Sequence, residues 1–214
     1  MNWVSALSRQ ADIESAIQEV AESAVQQLGK DHVDLTVVFV SPLFKESYDK
    51  VPDLISRYLK PGLLFGCSGG GIVGNGEEAE QQAAISITCA TLPGVKVQPI
   101  QLETTDLPDQ DTSPSVWREW LQVNVEENPH FVFLADPFSF RGEEFLAGVD
   151  FAYPNSAKVG GLASGAQAQG GNAMYLGDKI YDSGMIGIAL SGNIEVDTIV
   201  AQGCRPIGEP MQIT

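Results

Sequence analysis

Residues 35–42, Leu-Thr-Val-Val-Phe-Val-Ser-Pro, decide the fold class. Both alternations of 35–40 are apolar, so the stretch reads as a central strand covered on both faces, and Ser41-Pro42 ends it. Residues 131–137, FVFLADP, repeat the pattern, a buried strand closed by Asp136-Pro137. Around the first strand, residues 12–28 place Ile13, Ala16, Ile17, Val20, Ala21, Ala24, Val25 and Leu28 at steps of three and four, one face of a helix. Asp12 can cap its start and Gly29 can close its end. Further helices are predicted at about 52–59, stopped by Pro61-Gly62, at 114–127 behind Ser113 as cap, and near 143–151. Alternating helices and buried strands give an α/β fold of layered mixed sheets with outer helices.

Shorter strands are expected at 63–65, 84–90, 95–102, 158–161, 185–190 and 194–201, with Pro93-Gly94 and Gly192-Asn193 as turns. Residues 173–181 read as a hairpin turning at Gly177-Asp178. The order of elements occurs twice. Ser41-Pro42 matches Asp136-Pro137 at an offset of 95 residues, and Ser68-Gly69 matches Ser164-Gly165 at 96. Two pseudo-repeated halves are therefore expected, 1–103 and 115–214, joined by the acidic, proline-bearing linker 104–114 (TTDLPDQDTSP).

Twelve basic against 28 acidic side chains leave a net charge of −16, which repels nucleic-acid phosphates and anionic lipid. No stretch approaches the ~20 apolar residues of a membrane span, and residues 1–10 lack the apolar core of a signal peptide. Cys67, Cys89 and Cys204 are too few and too widely spaced for a disulfide framework or a zinc site; a cytoplasmic protein without metal or cofactor is expected.

The densest glycine loop is Gly66-Cys67-Ser68-Gly69-Gly70-Gly71. It can cradle an anion on backbone amides, present Cys67 as a nucleophile, or simply bend around a buried thiol. It is neither a Walker A loop nor a nucleophile elbow, and the dinucleotide fingerprint fails. Only His32 and His130 could serve a catalytic thiol, and both precede the buried strands, away from the glycine loops. The second loop, residues 160–165 (GGLASG), offers Gly161, Ser164 and Gly165. Asp136 and Arg141 flank a strand exit and could grip an amine and a carboxylate, or form a local ion pair. Arg205, beside a Pro-Gly turn, faces either a ligand or a following domain.

Gly66-Cys67-Ser68, the 160–165 loop, residues 182–192 (DSGMIGIALSG) and residues 202–208 (QGCRPIG) together resemble the FIST N-terminal domain over nearly the whole chain. The resemblance implies a sensory module of a signal-transduction protein, with small molecules, amino acids among them, as ligands and no catalytic residues. It also implies a FIST C-terminal domain or a signalling partner protein as companion; residues 1–214 are read as the N-terminal domain with that C-terminal domain absent. The expected ligand site joins Gly66, Cys67, Ser68 and Gly69 to Gly161, Ser164 and Gly165, with Asp136, Arg141 and Arg205 at its rim. A protein-interaction scaffold and a thiol-dependent enzyme using Cys67 are the alternatives.

Overall fold

The computed structural model describes residues 1–109 and 111–199. In chain order the elements are β1 (Asn2–Ser8), α1 (Ile13–Leu28), β2 (His32–Val40), α2 (Val51–Tyr58), β3 (Lys60–Ser68), β4 (Gly71–Gly74), β5 (Glu77–Glu80), β6 (Ile85–Thr91), β7 (Val95–Leu102), α3 (Pro114–Leu121), β8 (His130–Ala135), α4 (Gly142–Ala152), β9 (Lys158–Leu162), β10 (Met174–Leu176), β11 (Lys179–Tyr181) and β12 (Met185–Gly192). A long 3₁₀ segment, Pro42–Lys50, bridges β2 and α2.

The strands form a six-stranded sheet, β1-β6-β2-β3-β10-β11, a four-stranded sheet, β7-β12-β8-β9, and the small ribbon β4-β5. The fold is α/β, in four layers. Helices α1 and α2 close over one face of the first sheet in a cluster containing Ile17, Val20, Leu54, Ile55 and Val38. Helices α3 and α4 do the same for the second, through Trp117, Phe145 and Phe133. The inner faces of the two sheets meet in a third cluster holding Leu35, Phe65, Leu134, Met174 and Ile188. The doubly apolar stretch at 35–40 is thus explained: β2 is central, with a helix layer on one side and the other sheet on the other.

The α1 boundaries follow the predicted caps. Asp12 accepts from the Ser15 amide at 2.9 Å, and Gly29 takes the left-handed conformation with φ 69°. Several boundaries differ from expectation. The helix foreseen over 114–127 ends at Leu121, because Gln122 turns left-handed at φ 56°. Residues 2–8 form an edge strand and residues 71–80 the β4-β5 ribbon, both too short for a periodicity signal. The strand expected over 194–201 is absent from residues 194–199: the chain leaves the ladder at Gly192 (φ 89°), and Ile194 packs toward the inter-sheet core instead. Residues 200 and 201 lie outside the described residues.

Each sheet contains a four-strand unit of the same connectivity. β1-β6-β2-β3 and β7-β12-β8-β9 both pair antiparallel, antiparallel, then parallel. β7 belongs to the second sheet, so the change of sheet falls at Pro93-Gly94 and not in the 104–114 segment. Ladder register also sets which positions correspond. Val38 faces Gly66 as Phe133 faces Gly160, and Val40 faces Ser68 as Ala135 faces Leu162. By this register Ser68 corresponds to Leu162, and Ser164 to Gly70; the sequence match of Ser68 with Ser164 is two residues out.

Candidate functional site

The parallel pairs β2-β3 and β8-β9 end together, and their exit loops are sewn to one another. Gly69 donates to the Val40 carbonyl at 3.0 Å, as Ala163 donates to that of Ala135 at 2.9 Å. The two loops then meet directly. The Ser164 amide donates to the Ser68 carbonyl at 3.1 Å, and the Gly70 amide donates to Ser164 Oγ at 3.0 Å. A Cβ at Gly70 would lie 3.7 Å from the Gly165 amide, an ordinary contact distance, so the two loops are already in van der Waals reach.

Beneath the meeting point lies a buried polar chain. Ser68 Oγ donates to Asn172 Oδ1 at 3.3 Å and accepts from the Ala173 amide at 3.2 Å. Asn172 Nδ2 donates to Asp136 Oδ1 at 3.0 Å. The other carboxylate oxygen of Asp136 accepts from Ser139 Oγ at 2.7 Å and from the Phe138 amide at 3.2 Å. Ser139 Oγ in turn accepts from the Gly184 amide at 2.9 Å. Ser68, Asn172 and Asp136 are all buried, Asp136 completely. Buried polar groups of this kind hold geometry because each has a partner. They lock four loops into one arrangement.

Beside this chain is an open cleft of about 390 Å³, walled by Pro42, Lys45 and residues 165–171. Gly165 (φ 100°) passes close to Pro42, where a Cβ would sit 3.0 Å from the Pro42 side chain. Lys45 is exposed and makes no ion pair among the described residues.

The expected site residues therefore separate. Ser68, Gly69, Ser164 and Gly165 come together, with Ser164 and Gly165 exposed and Ser68 buried beneath them. Asp136 belongs to the buried chain. Arg141 pairs with Glu144 at 2.9 Å, one helical step along α4, and not with Asp136. Gly161 lines a separate apolar groove beside α4. Gly66 and Cys67 lie within β3, Cys67 facing the inter-sheet core. Arg205 lies outside the described residues. Asn172 and Lys45 escaped the sequence reading: a lone Asn before a strand and a Lys in a polar turn carry no periodic or motif signal.

Burial pushes the Cys67 thiol from 9.0 up to about 12. His32 and His130 open β2 and β8, at the far end of both strands. A thiol so placed has almost no thiolate at neutral pH. Tyr48 and Tyr153 are also raised, from 10.0 to about 12, by burial. A raised folded-state pKa favours the neutral form. These groups therefore contribute fully below about pH 9, and that stability is lost as pH climbs toward 12. Peptide-resolved mass spectrometry should find Cys67 unlabelled by iodoacetamide in the folded chain at pH 8 and labelled in guanidinium. Urea midpoints should fall above pH 9. Rapid labelling of the folded chain would place a thiolate at the surface.

A sequence model of the FIST N domain matches residues 34–214. The chain belongs to the FIST N family. FIST N domains are sensory domains of signal-transduction proteins and are not a known family of enzymes. The chain is 28% identical over 211 residues to the uncharacterized protein Rv0628c of Mycobacterium tuberculosis, covering 97% of itself and 52% of that protein. It is 27% identical over 206 residues to the uncharacterized protein Mb0898c of Mycobacterium bovis, covering 95% of itself and 50% of that protein. This FIST N chain thus spans about half the length of the curated relatives it matches. Among its described residues no helix is long and apolar enough to cross a membrane, and no cluster of His, Cys, Asp or Glu is arranged to hold a metal ion.

Proposed function

We propose that this FIST N domain senses a small carboxylate-bearing molecule, an amino acid being the favoured class, in the cleft between Pro42, Lys45 and residues 165–171. The observation that carries the reading is the seam of Gly70, Ser164 and Ser68, which fixes two glycine loops side by side at the ends of two parallel strand pairs. Such strand ends are where open α/β sheets bind ligands. Lys45 supplies the cation, glycine backbone at 165, 170 and 171 permits close approach, and Gln167 and Gln169 offer amide donors and acceptors. The buried chain from Ser68 to Asp136 positions the loops without touching the ligand. Signalling follows when occupancy is passed to a companion domain or partner protein in the cytoplasm.

A thermal-shift screen against amino acids and small carboxylates tests this. Ligand at ~100 times its dissociation constant adds about 2.7 kcal/mol, and each kcal/mol moves the midpoint of a chain this size by roughly 2–4 °C. The expected result is a rise of about 5–10 °C for one chemical class, abolished by Lys45→Glu. A rise that survives Lys45→Glu moves the ligand elsewhere, and silence across the panel ends the reading. A scaffold role is the second reading, and it has its own observation, an exposed apolar strand edge.

A further inference from the structure

That edge is β9. Among the described residues it pairs only with β8. The Ala157 carbonyl and the Ala163 amide both bond to β8. In a parallel ladder alternate residues turn both backbone groups to the same side, so Lys158, Gly160 and Leu162 turn theirs to the free edge. Natural edges are commonly blunted by charge, proline or a bulge; this one carries Gly160 and Gly161 at its centre. Apolar groups crowd it. Of the twelve exposed large hydrophobic side chains among the described residues, Leu146, Val159 and Leu162 line the groove beside it. That apolar groove, of about 270 Å³, is also lined by Phe133, Ala135, Phe140, Phe145 and Met185.

The first sheet shows what such a groove holds when filled. By ladder register β3 is the counterpart of β9, and Gly66 of Gly160. The β3 edge is not free: β10 pairs with it antiparallel, with Tyr175 opposite Gly66. Tyr175 is fully buried in the cluster that includes Val38, Val40, Phe44 and Ile85. The counterparts of those four residues are groove residues. Val38 and Val40 correspond to Phe133 and Ala135. Ile85, opposite Val40, corresponds to Met185, opposite Ala135. Phe44, three residues after Ser41, has its nearest aromatic equivalent in Phe140, four residues after Asp136; the amide of each bonds back to that strand-end residue, and Ser139 holds the equivalent spacing. The groove is the socket that Tyr175 fills in the first sheet. The strand filling that socket comes from the second unit, because the β10-β11 hairpin follows β9 and crosses to the first sheet.

The geometry points to a docking site for a β-hairpin from the other half of the longer family proteins. One strand of that hairpin pairs antiparallel with β9 and sets an aromatic side chain into the groove opposite Gly160. The curated relatives carry about as much chain again beyond the part matched here, which provides the donor. Each unit then lends its hairpin to the sheet before it, and the sheet continues across the join.

Residue-resolved amide exchange on this 214-residue chain and on full-length Rv0628c tests the assignment. The amides of Lys158, Gly160 and Leu162 should exchange quickly here, and the aligned amides at least 100-fold more slowly in the full-length protein. Leu162→Pro removes only an outward amide and leaves the β8 ladder whole. It should leave the midpoint of this chain unchanged, while proline at the aligned position in Rv0628c abolishes the protection along the edge. Fast exchange in both proteins overturns the proposal. So does protection in this chain that rises with concentration together with a dimer mass, since the edge then pairs with a second copy.

Discussion

Replacing Gly66 with alanine should cost about 3 kcal/mol or more and lower the midpoint by about 6–12 °C, or leave no folded chain. A Cβ at Gly66 would lie 1.9 Å from the Val38 carbonyl oxygen and 2.8 Å from its carbon. Both are backbone atoms of the neighbouring central strand, which no rotamer change can move aside. Relief requires β2 and β3 to separate locally, and each ladder bond lost costs about 1 kcal/mol. Gly160 stands in the same relation to Phe133, with 2.0 Å to its carbonyl oxygen, and Gly160→Ala should be comparably damaging. Gly161 is the control, because nothing lies within 4 Å of its added Cβ. Gly161→Ala should shift a urea midpoint only marginally. Equal losses at 66 and 161 would mean that the close strand contact is not what requires glycine.

Asn172→Leu should cost about 3 kcal/mol or more, because one substitution strands several buried groups. Asp136 Oδ1 loses its 3.0 Å donor, and the Ala166 amide and Ser68 Oγ lose their shared acceptor. Each orphaned buried group costs roughly 1–3 kcal/mol, whereas removing both partners together would be far gentler. Ser164→Val provides the comparison. Its hydroxyl accepts one bond from Gly70 at an exposed position, so the expected loss is about 1 kcal/mol or less. Urea titrations with unchanged slopes read both as differences in midpoint. Should Asn172→Leu cost no more than Ser164→Val, the chain from Ser68 to Asp136 does not hold the loops. Ligand response separates the roles further: Ser164→Val should weaken it in a chain that is still stable.

Local chemistry wrote much of this fold into the sequence. The stripe from Ile13 to Leu28, capped by Asp12 and Gly29, needs no tertiary partner to be recognised, because its period and its caps are local. The doubly apolar runs at 35–40 and 131–135 announce strands covered on both sides, since only such strands dispense with a polar face. Two glycine loops at strand ends were equally visible, and with them the neighbourhood of the candidate site. β1 and the β4-β5 ribbon left no comparable signal. Residues 194–199 carried a misleading one, an alternation that the turn at Gly192 takes off the ladder.

The sequence by itself determined the α/β class, the principal helices and strands, the acidic surface and the membership in the FIST N family, because periodicity, composition and motif order are properties of the chain alone. Tertiary structure decided which strands share a sheet, that β7 and β10 each join the sheet of the other half, and that Asp136 is buried under Asn172 while Arg141 turns to Glu144. It also decided which glycines face a backbone oxygen and which face solvent. These outcomes depend on register and on packing between residues more than 100 positions apart, as from Ser68 to Ala173, 105 positions on. Local preference cannot specify such distances; they are fixed only when the two sheets close on their common core.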